Sequence, residues 1–103
     1  MSAYEIIWEF TVTRKNRAAF EAAYKSSGSW AELFGKADGY IETKLLRDLE
    51  RDETYLTIDR WSSEEAFLKF RRDFAVEYQS LDRELEGLSE RERRVGVFAR
   101  VGD

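Results

Sequence analysis

Residues 55–67 read Tyr55-Leu56-Thr57-Ile58-Asp59-Arg60-Trp61-Ser62-Ser63-Glu64-Glu65-Ala66-Phe67, and within them the chain changes period. Tyr55, Thr57, Asp59 and Trp61 alternate with Leu56, Ile58 and Arg60, so the first four share one face of a strand. From Phe67 onward, Phe70, Phe74, Tyr78, Leu81, Leu85 and Leu88 recur at steps of three and four, which predicts one apolar stripe along a single long helix. Ser62 with Glu65 three residues later forms a capping box at the switch point. Trp61 ends the strand, so it is expected where the strand face meets the underside of the aromatic helix. If the protein has a pocket, this reading puts Trp61 in its wall.

Working outward, Tyr4 to Thr13 alternates in the same way, with Tyr4, Ile6, Trp8, Phe10 and Val12 on one face. Asn16 is placed to cap a helix running to about Ser27, and Gly28 to end it. Ser29 with Glu32 makes a second capping box over a short turn that carries Trp30, Leu33 and Phe34. Tyr40–Asp48 and Thr54–Trp61 read as strands around a charged turn. Ser89 with Glu92 makes a third box, and Arg94–Val101 is the last strand, with Val95, Val97, Ala99 and Val101 on one face. The order β-α-β-β-α-β predicts a ferredoxin-like α+β domain over residues 1–103, a four-stranded antiparallel sheet with its helices on one face. The other face also receives apolar residues, Leu56 and Ile58 among them, with no helix to cover it. That predicts a homodimer burying more than about 1,000 Å².

The composition narrows function. The 103 residues include no His and no Cys, which removes thiol nucleophiles, thiolate metal sites, the commonest general base and a His-ligated haem. A carboxylate site for magnesium or calcium stays open, but no EF-hand or comparable ligand spacing is present, and no metal or other cofactor is expected. The net charge of −4 is spread along the chain, which argues against nucleic acid or an anionic membrane as partner. No apolar run is long enough to span a membrane, and no signal peptide precedes the first strand, so a soluble cytoplasmic protein is expected.

Asp59-Arg60-Trp61-Ser62-Ser63-Glu64-Glu65-Ala66-Phe67, preceded by Gly39-Tyr40-Ile41 and Leu45-Leu46-Arg47-Asp48, resembles the antibiotic biosynthesis monooxygenase family. Trp8-Glu9-Phe10, Ser29–Phe34 and Tyr78-Gln79-Ser80-Leu81-Asp82 extend the likeness over nearly the whole chain. The resemblance implies a dimeric α+β barrel with a hydrophobic pocket between sheet and helices in each subunit. In the quinone-forming members the strand Trp has an Asn four residues before it and a Tyr six after. Here Trp61 stands with Thr57 and Phe67 at those positions. The haem-degrading branch has its own Asn, Trp and His, and the matching positions here are Trp8, Phe70 and Ser80, so haem degradation is rejected.

What the resemblance implies is oxygen chemistry without a cofactor, on a bulky aromatic substrate such as a phenol or anthrone that supplies its own electrons. Such a site needs aromatic walls, a base and donors for a developing oxyanion. The candidate walls are Trp8, Trp30, Phe34, Phe67, Phe70, Phe74 and Tyr78, with Trp61, Tyr78 and, weakly, Thr57 as donors. Asp59 is the candidate base, since Asp is depleted in strands and burial raises its pKa. The competing reading has Asp59 paired with an arginine, capping a backbone group or accepting from a Trp N–H. Two other readings stay open: a non-catalytic homodimer that binds a small apolar ligand, and a dimer with a filled interior. A cavity of about 300 Å³ touching Trp61 would favour a small-molecule site over the last.

Overall fold

The structure, a computed structural model, describes residues 3–102. Four strands form one antiparallel sheet in the order β2-β3-β1-β4: β1 (Tyr4–Thr11), β2 (Tyr40–Arg47), β3 (Thr54–Trp61) and β4 (Arg91–Phe98). Between them lie α1 (Arg17–Tyr24), α2 (Ser29–Phe34), α3 (Glu64–Asp73) and α4 (Ala75–Glu84). This is the expected ferredoxin-like arrangement. In the β1–β3 register Tyr4 opposes Trp61, Ile6 opposes Asp59, Trp8 opposes Thr57 and Phe10 opposes Tyr55. Paired residues share a face, so the two alternating patterns read in the sequence combine into one inner floor.

Two apolar clusters bind the helices to that floor. Ile6, Trp30, Leu33, Phe34, Trp61 and Phe70 form one, and Phe10, Val12, Phe20 and Tyr55 the other. The opposite face is covered by no other element among the described residues. It carries half-buried Ile7, Leu56 and Ile58 beside exposed Leu46 and Phe98.

Several local expectations need correction. The long helix is two, α3 and α4, broken at Phe74 (φ −114°, ψ 28°). Periodicity could not register the break because the bonds on either side persist: Phe74 N–H donates to Phe70 O and Tyr78 N–H to Phe74 O, both at 2.8 Å. The cap of α3 is Ser63, whose hydroxyl accepts from Ala66 N–H at 3.1 Å. An Ala at that third position cannot complete a capping box. Ser62 instead donates its backbone N–H to Gly39 O at 2.7 Å, closing the approach to β2.

Helix α1 stops at Tyr24 because Lys25 turns extended, and Asn16 makes no capping bond; its amide reaches Gly87 O at 3.4 Å. Gly28, not Ser29, occupies the N-cap of α2. Glu92 lies inside β4 rather than in a capping turn, and β4 ends at Phe98. A bulge at Val95 pairs Arg94 with Trp8 and Gly96 with Ile7, which breaks the simple alternation expected of Val95, Val97, Ala99 and Val101.

Gly39 combines two demands. Its φ is +91°, and a Cβ there would fall 2.5 Å from the Ala66 Cβ at the start of α3. Gly87 has the same φ but open space around it. Left-handed strain on Ala costs about 1–2 kcal/mol at either site, and the clash adds to it only at Gly39. Urea unfolding should therefore show Gly39→Ala losing about 1–3 kcal/mol more than Gly87→Ala; equal losses would mean that the β2–α3 contact yields freely.

Candidate active site

The inner floor and the helices do not meet everywhere. Over the middle of the sheet they enclose a cavity of about 150 Å³. Its floor is Trp8 and Phe10 from β1, Thr43 from β2, and Thr57 and Asp59 from β3. Its roof is Tyr24 from α1, Trp30 and Phe34 from α2, and Tyr78 from α4. Asp82 and Glu92, both solvent-exposed, line the side where it reaches the surface. The volume is half that expected from the sequence. It is comparable to apolar cavities that admit benzene, so it holds one ring rather than a fused system.

Trp61 is not in this cavity, which corrects the expectation that it would form the wall. Its side chain is fully buried, with Phe34, Tyr40, Phe67 and Phe70 at centroid distances of 5.6, 5.4, 5.6 and 5.2 Å. Its Nε1 has no hydrogen-bond partner among the described residues. Phe67, Phe70 and Phe74 are likewise packing residues: Phe70 is 1% exposed and stacks on Phe74 at 5.4 Å. The rings of α3 fill the space under α3, and the cavity lies further along β3, beneath α2 and α4. Of the side chains singled out in the sequence, Asp59, Thr57, Trp8, Trp30, Phe34 and Tyr78 come together there. Phe10, Tyr24, Thr43, Asp82 and Glu92 were missed. Phe10 was legible, since it alternates with Trp8. Thr43 follows from pairing β2 with β3, but an irregularity between Tyr40 and Glu42 hides that register.

Asp59 is the chemically distinctive group. It forms no ion pair among the described residues, and no cationic side chain lines the cavity. Thr43 Oγ1–H donates to Asp59 Oδ1 at 2.9 Å, and Tyr40 Oη–H donates to Thr43 Oγ1 at 2.8 Å. Burial raises the Asp59 pKa to about 6, against the lowering effect of the Thr43 hydrogen bond. Burial also lifts Tyr24 to about 12 and raises Tyr78, whose ring carries the Arg71 guanidinium 4.1 Å from its centroid. Both phenols therefore stay protonated as donors. Trp30 Nε1 is buried with no hydrogen bond of good geometry among the described residues, although its N–H lies close enough to the Tyr24 hydroxyl to offset part of that phenol's rise; it is a third donor in the cavity wall. At the mouth Glu92 is raised by partial burial and then by the neighbouring Asp82 charge.

The raised Asp59 pKa has a thermodynamic consequence. Folded, the carboxyl binds its proton up to about pH 6; the ordinary value is 3.8. The folded state thus holds more protons between those values, so stability falls as pH rises through that window and the contribution is gone above it. Asp59→Asn removes the buried charge. At pH 7.5 the variant should be more stable than the parent by on the order of 1–3 kcal/mol, with little difference at pH 4. Urea melts at the two pH values read this directly; an equal difference at both would show that Asp59 is not held out of water.

No curated protein matches the chain. Among solved structures, an Asn-to-Ala variant of SnoaB, a cofactor-independent oxygenase from Streptomyces nogalater, is similar with 20% identity and a TM-score of 0.74, covering 100% of this chain and 97% of that one. A Bordetella bronchiseptica protein whose description assigns it to the antibiotic biosynthesis monooxygenases superposes at TM-score 0.75 with 18% identity, covering 98% and 99%. A conserved protein from Methanosarcina mazei reaches 0.68 with 21% identity, covering 95% and 92%. At these identities the likeness is one of fold. The family model described as antibiotic biosynthesis monooxygenase matches residues 3–76, well over half of the chain, and the chain belongs to that family.

Proposed function

We propose that the protein is a cofactor-independent monooxygenase for a hydroxylated aromatic small molecule, with Asp59 as general base. The observation that carries this reading is a carboxylate without a counter-ion, raised to about pH 6, on the floor of an aromatic-walled cavity. Family membership and the description of SnoaB as a cofactor-independent oxygenase support it.

The chemistry asks little else of the chain. Asp59 takes a proton from an activated C–H or O–H of the substrate, leaving an electron-rich anion. Oxygen adds to the anion's carbon to give a peroxide, and loss of water from it leaves a carbonyl. One oxygen atom enters the product and one leaves as water, with both electron pairs supplied by the substrate's own bonds. Tyr78 Oη–H and Trp30 Nε1–H are the donors suited to the developing oxyanion, and Thr57 lies beside Asp59 on the floor. The aromatic walls keep the anion from bulk water.

For a bulky phenol or anthrone, the reacting ring fills the cavity and the remainder projects past Asp82 and Glu92. A second copy of the chain covering the apolar sheet face, with more than about 1,000 Å² buried, completes the proposal, and we place the protein in the cytoplasm.

Oxygen uptake with anthrones, dihydroquinones and single-ring phenols tests the reading. Because the ionised carboxylate is the base, kcat/KM should rise with pH through about 6 and then level off. Asp59→Asn should lower kcat/KM by about a hundredfold or more, while Trp61→Phe alters stability and leaves that pH profile in place. Ligand-dependent thermal stabilisation without oxygen uptake would instead identify a non-catalytic binder, and an Asp59→Asn variant of full activity would remove Asp59 from the mechanism.

A further inference from the structure

A buried carboxylate does not serve as a base merely by being buried. Desolvation alone drives it toward the neutral acid, which cannot accept a proton. Something must hold part of the population ionised. No cation does so among the described residues: the titratable groups facing Asp59 are Tyr40 from β2, Tyr24 from α1, Tyr78 and Asp82 from α4, and Glu92 from β4. Two are carboxylates, which supply no positive charge, and the phenols are neutral. The hydroxyl of Thr43 is the group left that favours the charge.

The direction of its hydrogen bonds matters. An ionised Asp59 only accepts, so the single Thr43 hydroxyl proton points at Asp59 Oδ1 across 2.9 Å. The Thr43 oxygen is then free to accept, and Tyr40 donates to it across 2.8 Å. A neutral Asp59 either accepts the Thr43 proton on a weaker, uncharged oxygen or donates back to Thr43 and leaves that proton without the carboxyl as acceptor. Thr43 is 2% exposed, so water does not readily replace either bond. Each link polarises the next. The chain of two hydroxyls thus discriminates between the two states of the carboxyl and favours the ionised one.

We propose that Thr43 and Tyr40 are positioning residues for Asp59, a two-hydroxyl donor chain that pins Oδ1 and keeps the carboxylate ionised in the cavity. The proposal rests on Asp59 acting as the base. It goes beyond that reading by assigning roles to two β2 residues, one of which never touches the carboxylate. Tyr40 packs its ring against Phe34 and Trp61 at 5.6 and 5.4 Å, so Tyr40→Phe keeps the packing and removes only the hydroxyl.

The test is a carbon-13 NMR titration of the Asp59 side-chain carboxyl in the parent protein, Thr43→Val, Thr43→Ser and Tyr40→Phe. Thr43→Val should raise the Asp59 pKa by about one unit. Tyr40→Phe should raise it by less, and Thr43→Ser should stay near the parent. In turnover, the rising limb of kcat/KM should move to higher pH in the same order, with activity at pH 6 down about fivefold in Thr43→Val and recovered at high pH. An Asp59 pKa in Thr43→Val at or below the parent's would overturn the proposal. Should that variant fail to fold, an unchanged titration in Tyr40→Phe does the same. Absence of turnover in the parent would defeat the monooxygenase reading while the titration still reports on the chain of hydroxyls.

Discussion

Asp59 occupies a position that a stability-driven sequence would give to a valine or threonine. It sits mid-strand in β3, opposite Ile6 in the register, beneath helices, with one hydroxyl for company. Taking a carboxylate out of water without a counter-charge destabilises the fold in proportion to the pKa shift it produces. The other charged groups of the sheet are handled differently. Glu5, 6% exposed, is met by Arg100 at 2.7 Å, and Glu9 by Arg51 at 2.8 Å. The chain has 17 Lys and Arg residues and brings none of them to the cavity lining. That omission is the observation on which the proposed role of Asp59 rests.

The surrounding architecture makes the cavity narrow and keeps it from collapsing. Trp61, locked among four rings, fixes the spacing between β3 and α3 at one end. Phe20, stacked on Tyr24 at 4.2 Å and beside Phe10 at 5.2 Å, fills the other. Between these two packed clusters the roof is carried by α2 and α4. The break at Phe74 separates the element that seals the core from the one that supplies Tyr78 and Asp82 to the site. Trp61 is thus structural support for the cavity floor rather than part of its surface.

The fold was legible because its two signals are strong: period-2 alternation in three strands and a clear change of period after Trp61. The site was legible in part, for a reason that lies in geometry. Alternation tells which residues share a face, so Asp59, Thr57 and Trp8 could be grouped. It does not tell where along that face the helices stop touching the sheet. Trp61 and Asp59 are indistinguishable by parity, yet one is sealed and the other borders a void. The polar members from other elements were hidden by irregularities: Thr43 by the shifted β2 register, Glu92 by a strand so charged that it read as a turn. The break at Phe74 left no trace in the spacing of the stripe.

The central claim is that a substrate ring enters beneath α2 and α4 and presents its hydroxyl to Asp59. A crystal structure of the protein with a single-ring phenol tests it most directly. The account predicts the ring between Trp8, Trp30 and Tyr78, its oxygen about 2.6–3.2 Å from the Asp59 carboxylate, and the Trp61 cluster undisturbed. A phenol seated on the open sheet face, or displacing Phe67 and Phe70 to reach Trp61, would contradict it.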